Sequence, residues 1–363
     1  MSETTYLPFQ MQRLGTIMQG NSANPDEVLG VLNPACCRDR SGNLLLFPRI
    51  VAAGNYSRIG IARVVCDEQG TPVGVERQGY VLEPENGFER NAHTAGVEDP
   101  RVTFIPAIDA YVMAYVAYGP LGPRVALAIS EDAYSWRRLG LAKFAYSPEY
   151  HTDFDLYVNK DAYLFPEPVR DPQGRPALAM IHRPDYNVNW WSEGGFHVQP
   201  SGIEEARPSM WISYAPLDAV QADPRNLCCW YDHQLLATPK YPWESLKIGG
   251  GAPPVLTPLG WVTIIHGVDG RIMAGVDHQP HVRYTAGVLV LDRDDPRRVL
   301  YRSTNPILAP DTAEELHGVV DNVVFPTAVD LRPDGQIDVF YGMADARIGV
   351  ARMQVPAALP EES

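Results

Sequence analysis

The chain has 363 residues and a formal net charge of −14 at pH 7. A surface this acidic argues against a nucleic-acid partner, because phosphate backbones are bound by clusters of Lys and Arg. Hydrophobic residues make up 45% of the chain, enough for a substantial core, and the 33 prolines and 30 glycines favour many short strands over long helices.

The first residues of the chain do not resemble a signal for export, and the cysteines do not have the spacing of a metal site. Residues 1–12 lack the basic segment and apolar run of a signal peptide, and no apolar stretch reaches membrane-spanning length, so no membrane partner is predicted. Four of the five cysteines stand in adjacent pairs, at 36–37 and 228–229, without the CxxC spacing of a zinc site. We therefore expect reduced thiols in a cytoplasmic protein.

A pair of strand-like segments recurs five times along the chain. The segments are rich in aliphatic and aromatic residues and are bounded by Gly, Pro or Asp, as short strands are. The pairs cover residues 42–49 and 57–62, 109–115 and 125–129, 175–181 and 211–214, 260–266 and 286–290, and 335–342 and 348–352. Successive pairs are far enough apart to leave room for about four strands per unit, the content of one propeller blade.

This recurrence predicts an all-β fold, a five-bladed β-propeller that forms a single domain over residues 13–353, with tails at 1–12 and 354–363. A β-sandwich or two stacked β-domains is the alternative, and the five-fold repeat disfavours it. The polar stretch 187–207 is predicted to be an insertion at the mouth of the central funnel. The best candidate for a helix is short and lies near residues 311–316.

The segment Glu98-Asp99-Pro100-Arg101 places two carboxylates and a cation at the entrance of a strand. A carboxyl group that points from there into a central cavity is buried, which raises its pKa and suits it to act as a general acid. Alternatively, Asp99 caps a turn before the proline and pairs with Arg101. Composition alone favours this second, structural interpretation.

Four basic residues lie at the edges of predicted blades: Lys160, Arg183, Lys247 and His266. If the blades surround one funnel, these groups converge there and suit an anion, and a planar guanidinium suits phosphate in particular. Taken singly, each is better explained as a solvated surface charge, and His266 as a core histidine. The three glycines after Lys247-Ile248 are not a phosphate-binding P-loop, because GxxxxGK[ST] is absent.

Polar residues also flank strands of the first and last units. Asn33, Arg49 and Asp345 occupy such positions and are able to hydrogen-bond sugar hydroxyls. Sugar sites commonly add an aromatic platform, and the candidates are Trp190, Trp191, Trp243 and Tyr341. Buried aromatic residues more often simply fill cores, so this part of the prediction is open.

Eight short motifs follow one another along the chain: Leu32–Ala35, Glu98–Arg101, Leu164–Glu167, His182–Pro184, Lys247–Gly251, His266–Val268, Asn322–Pro326 and Tyr341–Asp345. Each is unspecific alone. The ordered set, over residues 13–353, resembles glycoside hydrolase family 130, the mannoside phosphorylases and related β-mannosidases.

The resemblance implies a five-bladed propeller and an inverting mechanism that needs no metal and no organic cofactor. Asp99 matches the general acid, whose proton reaches the glycosidic oxygen through a hydroxyl of the bound mannose. Inorganic phosphate, the co-substrate, then attacks the anomeric carbon and releases α-mannose 1-phosphate. The positions that match the phosphate site are Lys160, Arg183, Lys247 and His266, and those that match the mannose contacts are Asn33, Arg49 and Asp345.

Three other functions remain open at this stage. An inverting β-mannosidase needs a second carboxylate to activate water, and Glu98, Glu314 and Glu315 are candidates without a supporting motif. A furanosidase needs three carboxylates around the funnel, of which only Asp99 and Asp345 are placed. A non-catalytic sugar-binding propeller is expected to have lost the acid. The sequence specifies neither the linkage nor the acceptor sugar, and it is compatible with a monomer or a homo-oligomer.

Overall fold

Five antiparallel blades make up the protein in the computed structural model, which describes residues 8–90, 96–187, 198–273 and 281–360. We number the blades one to five by the order of their innermost strands. The first strand of the chain, β1 (Gln10–Gln19), belongs to the fifth blade, where it pairs with the last strand.

Blades one and two each contain four strands in sequence order from the axis outwards. The strands of blade one are β2 (Gly30–Arg38), β3 (Leu44–Ala52), β4 (Tyr56–Cys66) and β5 (Pro72–Leu82). Those of blade two are β6 (Gly96–Ile105), β7 (Ala110–Gly119), β8 (Gly122–Ser130) and β9 (Arg137–Leu141). One parallel bridge, between Ser57 and Gly96, joins the two sheets.

Blades three and four have the same plan with short additional strands. Blade three comprises β10 (Lys143–Phe144), β11 (Val158–Leu164), β12 (Val169–Arg170), β13 (Pro176–Asp185), β14 (Met210–Pro216) and β15 (Cys229–Ala237), with helix α1 (Leu217–Ala222) before β15. Blade four comprises β16 (Lys247–Gly250), β17 (Val255–Thr257), β18 (Gly260–Gly270), β19 (Val282–Leu291) and β20 (Val299–Arg302).

Blade five contains the last three strands of the chain and β1. Helix α2 (Ala313–Leu316) precedes β21 (Val324–Leu331), β22 (Ile337–Met343) and β23 (Arg347–Gln354). Short 3₁₀ helices occur at Pro25–Glu27, Ala53–Asn55, Gly87–Glu89, Pro106–Ile108, Phe154–Leu156, Pro224–Cys228 and Pro242–Glu244. Within the described ranges, no helix is long and apolar enough to cross a bilayer.

The five predicted strand pairs are the second and third strands of the five blades, and all are antiparallel neighbours. The prediction of a five-bladed propeller is therefore confirmed. The short helix predicted near residues 311–316 is α2. Of the polar stretch 187–207, residues 188–197 lie outside the described residues, and its described end hydrogen-bonds to blade three through the Val198 amide and the Tyr186 carbonyl.

Apolar side chains form five clusters, one between each pair of neighbouring blades. Because successive side chains of a strand point to opposite faces, adjacent residues enter different clusters. Ile264 packs between blades four and five, whereas Ile265 packs between blades three and four. Both faces of each sheet are thus covered, and this explains the nearly uninterrupted apolar run of β7.

The ring closes where β1 pairs with β23 in an antiparallel register from Gln10–Gln354 to Gln19–Arg347. Phe9 is fully buried, and its ring centroid lies 5.3 Å from that of Tyr301 in blade four. The propeller therefore begins at Gln10, with Phe9 packed against it, and not at residue 13 as the sequence predicts. The first residues of β1 are mostly polar, so no local sequence pattern marks them as a strand. Their place in the fold depends on pairing with β23 at the far end of the chain.

We expect Phe9→Ala to destabilise the fold by about 3–5 kcal/mol, the usual cost of removing a buried aromatic ring. Gln12→Ala, at an exposed position of β1, is the matched control and should change stability by less than about 0.5 kcal/mol. Urea unfolding of both variants measures the difference. Equal stabilities would show that the N-terminal segment does not hold the ring closed.

Candidate active site

The innermost strands of blades one, two and three each contain a bulge at the same level. The ladder registers shift between Leu32 and Ala35, between Glu98 and Arg101, and between Lys160 and Tyr163. At the bulges, Asn33, Asp99 and Asp161 have φ values of 41°, 44° and 57°. Asn and Asp tolerate this left-handed conformation better than most residues, and a bulge re-aims a side chain. All three side chains line one central cavity.

The cavity has a volume of about 350 Å³ and is lined by all eight residues that the sequence singles out. These are Asn33, Arg49, Asp99, Lys160, Arg183, Lys247, His266 and Asp345. The structure adds Asp161, the aromatic residues Tyr284 and Phe325, and the aliphatic residues Val268, Ile272, Val282, Val320 and Val323. Acidic and amide groups from blades one, two and five face basic groups from blades three and four.

Arg49 organises the acidic half of the cavity. Its guanidinium donates to Asp99 Oδ1 at 3.2 Å and to Glu98 Oε1 at 2.8 Å. Asn33 Nδ2 donates to the same Asp99 oxygen at 2.9 Å. Arg101 bonds to the backbone carbonyl of Asp99 and not to its carboxylate, so the predicted Asp99–Arg101 pair does not form. The Asp99 carboxylate is instead held by residues of blade one.

The charge state of Asp99 differs from the sequence-based expectation. Burial raises the pKa of Asp99, whereas the positive charges of Arg49 and Arg101 lower it. Lys160 and the hydrogen bond from Asn33 act in the same direction, so the pKa of Asp99 lies below its ordinary value. The prediction of a raised pKa for Asp99 is therefore wrong, because it considered burial without the surrounding cations.

Asp345 is the cavity carboxyl group whose pKa is raised. Burial raises its pKa to about 6, which Arg49 opposes and the negative charges of Asp99 and Glu98 reinforce. It follows β22, where Gly342 allows a close approach, since a Cβ there would lie 2.1 Å from Asn33 Oδ1. The Tyr341–Asp345 motif thus contains both Asp345, which lines the cavity, and Gly342, which leaves room for the side chain of Asn33.

The basic half is built from two blades. Lys160 and Arg183 are direct partners across β11 and β13, and Arg183 Nε donates to Asp161 Oδ2 at 2.6 Å. Lys247 Nζ lies 5.2 Å from the centroid of the Tyr284 ring. Among the described residues, neither lysine has a carboxylate oxygen within 4.0 Å. Their charges are therefore available to an anionic ligand.

His266 lines the cavity but is not a cation. It is buried, and burial lowers its pKa to about 3, although Asp161 opposes this. The nearby charges of Arg183 and Lys247 lower the pKa further. The sequence analysis grouped His266 with the cations, whereas the structure makes it a neutral group able to donate one hydrogen bond. Its ring packs edge-on against Phe325, with centroids 4.6 Å apart.

The three glycines after Lys247-Ile248 are required by close packing. A Cβ on Gly249 would lie 2.4 Å from Asp161 Oδ2 and 2.4 Å from His266 Cε1. A Cβ on Gly250 would lie 2.3 Å from Tyr163 Cε1. These distances are shorter than any normal contact, so the glycines allow β16 to pass directly beside the basic half of the cavity.

The aromatic platform predicted from sequence is not found among the described candidates. Trp243 is buried and donates its indole N–H to the Thr304 carbonyl at 3.1 Å. Tyr341 is buried and donates to Glu315 at 2.9 Å. Both therefore belong to the core, and Trp190 and Trp191 lie outside the described residues.

The three glutamates considered as hydrolytic bases do not line the cavity. Glu98 is buried behind it and bound to Arg49, whereas Glu314 is exposed on α2. Glu315 is buried, caps α2 and forms an ion pair with Arg13 at 2.9 Å. Over the described ranges, no group of three His, Cys, Asp or Glu residues is arranged to hold a metal ion.

A family profile described as beta-1,4-mannooligosaccharide phosphorylase, that of glycoside hydrolase family 130, matches residues 10–359. The chain is a member of this family. It is 30% identical, over 93% of its own length and 95% of the relative's, to a 1,2-beta-oligomannan phosphorylase of Thermoanaerobacter sp.. It is 31% identical to a beta-1,2-mannobiose phosphorylase of the same organism, over 70% of this chain and 66% of the relative.

The fold of this family-130 chain is similar to that of the beta-1,2-mannobiose phosphorylase of Listeria innocua, solved as a complex with beta-1,2-mannobiose. The TM-score is 0.64 at 22% identity, with 97% of this chain and 92% of the other covered. At this identity the comparison supports the five-bladed propeller and no finer property.

Sequence reasoning about this family-130 chain missed two polar residues of the cavity, Asp161 and Tyr284. Asp161 directly precedes the apolar end of β11, and a carboxylate in a buried strand needs a cationic partner, so this signal was readable. Tyr284 stands at the start of β19 in no distinctive pattern. Only the packing of blade four shows that its ring faces Lys247 and His266.

The neutral state of His266 predicts a pH-dependent stability. The pKa of His266 is about 3 in the folded state against 6.5 for an unperturbed histidine, so below pH 6.5 the unfolded chain binds a proton that the folded chain does not. Relative to His266→Gln, the wild type should lose about 1.4 kcal/mol of unfolding free energy per pH unit between pH 6.5 and 4.

Urea unfolding of both proteins across this range measures the difference, and the subtraction removes the contributions of the carboxyl groups that the two proteins share. A difference that does not change with pH would mean that His266 is protonated as readily in the folded as in the unfolded chain.

Proposed function

We propose that this protein cleaves β-mannosides by inverting phosphorolysis, with inorganic phosphate as co-substrate and α-mannose 1-phosphate as product. The observation that carries the proposal is the division of the cavity. Asp99, Asp345, Asn33 and Arg49 lie on one side, and Lys160, Arg183 and Lys247 lie on the other with two lysines not neutralised by described carboxylates. An anionic co-substrate explains this arrangement, since cations are otherwise costly to gather in a partly buried site.

In this proposal the mannose unit binds on the acidic side, through Asn33, Arg49 and Asp345. Asp99 gives its proton to a mannose hydroxyl, which passes its own proton to the glycosidic oxygen. That oxygen leaves with the acceptor sugar as the bond to the anomeric carbon breaks. A phosphate oxygen forms the new bond from the opposite face, so the configuration inverts. Phosphate is already a nucleophile and needs no protein base, which agrees with the absence of the three glutamates from the cavity.

Phosphate binding also accounts for how Asp99 becomes protonated. Lys160 is one of the groups that lower the pKa of Asp99, and we assign it to the phosphate site as well. A phosphate dianion beside Lys160 offsets that positive charge, which raises the pKa of Asp99 toward the range of a general acid. Arg183, Lys247 and the neutral imidazole of His266 supply the remaining hydrogen bonds to phosphate. Preorganised donors of this kind stabilise a reacting phosphate strongly.

The first test measures product formation from mannobioses with and without inorganic phosphate. The wild type should release mannose 1-phosphate only when phosphate is present. Arg183→Ala should raise the KM for phosphate about tenfold or more, through the loss of charge-assisted hydrogen bonds, with a smaller change in the KM for the mannoside.

Arg302→Ala is the matched control for Arg183→Ala. It removes a mostly buried arginine that pairs with Glu244 at 2.6 Å outside the cavity, and it should leave both KM values unchanged. Release of free mannose at the same rate with or without phosphate would overturn the proposal in favour of a β-mannosidase.

The second test removes the proposed acid. Asp99→Asn should lower turnover by roughly 10²–10⁴-fold, the usual contribution of a positioned proton donor. Asp171→Asn is the matched control, because Asp171 is also buried and pairs with an arginine, Arg175 Nε, at 2.7 Å, but lies outside the cavity. It should retain normal turnover. An Asp99→Asn protein with near-normal turnover would show that another group supplies the proton.

A further inference from the structure

A row of side-chain hydrogen bonds crosses blade three from its innermost strand to its outer edge. Asn159 Nδ2 lies 2.9 Å from His182 Nδ1, and His182 Nε2 lies 2.7 Å from Ser213 Oγ. Ser213 Oγ lies 2.8 Å from His233 Nδ1, and His233 Nε2 lies 2.8 Å from the Ala145 carbonyl oxygen. The row thus joins β11, β13, β14 and β15 to the segment that follows β10.

The direction of every hydrogen bond in this row follows from its outer end. A carbonyl oxygen only accepts, so His233 donates through Nε2 and accepts through Nδ1 as a neutral ring. Ser213 must then donate its proton to His233 and accept from His182 Nε2. His182 accepts through Nδ1, which assigns the amide nitrogen of Asn159, and not its oxygen, to this contact. All three central groups are fully satisfied in one arrangement.

The surroundings keep both imidazoles neutral. Burial lowers the pKa of His182 well below its ordinary value and also lowers the pKa of His233. Phe144 and Phe154 pack against both rings, with Phe144 4.4 Å from His182 and Phe154 4.8 Å from His233 between ring centroids. The row does not conduct protons, because it ends in an amide and a backbone carbonyl. The row of hydrogen bonds therefore acts by restraining the positions of the strands that it joins.

The inner end of the row lies beside the basic half of the cavity. Asn159 precedes Lys160 on β11, and His182 precedes Arg183 on β13. The backbone ladder between these two strands is interrupted by the bulge that follows Lys160. The bond from Asn159 to His182 links the two strands beside this register shift, because Asn159 is paired with Pro184 and His182 lies opposite the bulged residues. It adds a side-chain link next to the backbone pairing of Lys160 with Arg183 and so restrains the separation of the two strands from which they project.

We infer that His182, Ser213 and His233 are positioning residues that hold Lys160 and Arg183 at the separation needed to bind phosphate. This inference rests on the proposed phosphorolysis. The acid Asp99 lies on another blade and is bound by Asn33 and Arg49, so the row should affect phosphate recognition more than it affects the proton donor.

Ser213→Ala tests the inference, because it removes the central hydroxyl and leaves a ring nitrogen of each histidine without a partner. The matched control is Ser303→Ala in blade four, which also removes a fully buried hydroxyl, one that accepts from the Val288 amide at 2.9 Å far from the row. Ser213→Cys, which keeps the shape with only a weak donor, serves if the alanine variant does not fold.

The measurements are the KM values for phosphate and for the mannoside, kcat, the melting temperature, and direct binding of inorganic phosphate by calorimetry. Ser213→Ala should raise the KM and the Kd for phosphate about tenfold, as loss of a partner that orients a binding group often does, with the mannoside KM changed less than about twofold. Ser303→Ala should lower the melting temperature by a similar amount and leave the phosphate constants unchanged.

Two results would overturn the inference, and they are distinguishable. If Ser213→Ala and Ser303→Ala change the phosphate constants equally, or if Ser213→Ala weakens phosphate and mannoside by the same factor, the row is merely structural while phosphorolysis stands. If the wild type neither binds phosphate nor requires it for turnover, the proposed function fails and the inference fails with it.

Discussion

The antiparallel pairing of β1 with β23 is the constraint on which the rest of the structure depends. It joins the first described strand to the last one and closes five blades into a ring. The cavity needs this closure, because Asn33 and Arg49 come from blade one and Asp345 from blade five. Each blade also covers both faces of its sheet with its neighbours, so an open ring would expose the apolar faces at the gap.

Within the closed ring, charge pairing decides what the cavity does. Arg49 bridges Glu98 and Asp99, and Asp161 holds Arg183, so most ionised groups in the cavity are satisfied by one another. Burying an unpaired charge costs several kcal/mol, and this cost limits how many cations stay free. In the described part of the chain, the cavity cations without a carboxylate partner are Lys160 and Lys247. Because they lie opposite Asp99, one side of the cavity is acidic and the other is basic.

Glycines and left-handed residues give this charge arrangement the space that it needs. Gly249 leaves room for Asp161 and His266, and Gly342 leaves room for Asn33. The bulges at Asn33 and Asp99 turn these side chains toward each other across the boundary of two blades. The glycines occur in the sequence motifs because a larger side chain at either position would overlap a side chain that lines the cavity.

The strand pairs were predictable because each is a local pattern of apolar residues bounded by turns. The convergence of eight residues was predictable once those pairs were arranged as a ring. The pKa of Asp99 was not, because its sign depends on Arg49 and Lys160, which reach it from other blades. The neutral state of His266 and the core position of Trp243 depend in the same way on contacts distant in sequence.

The sequence by itself determined the number of blades, the family and eight of the residues that line the cavity, because repeats and motifs are local patterns within short segments. The tertiary structure alone decided which carboxyl group is ionised, which basic group is neutral and where the ring begins. Burial and electrostatic energy depend on distances across blade boundaries, and those distances exist only after the ring has closed.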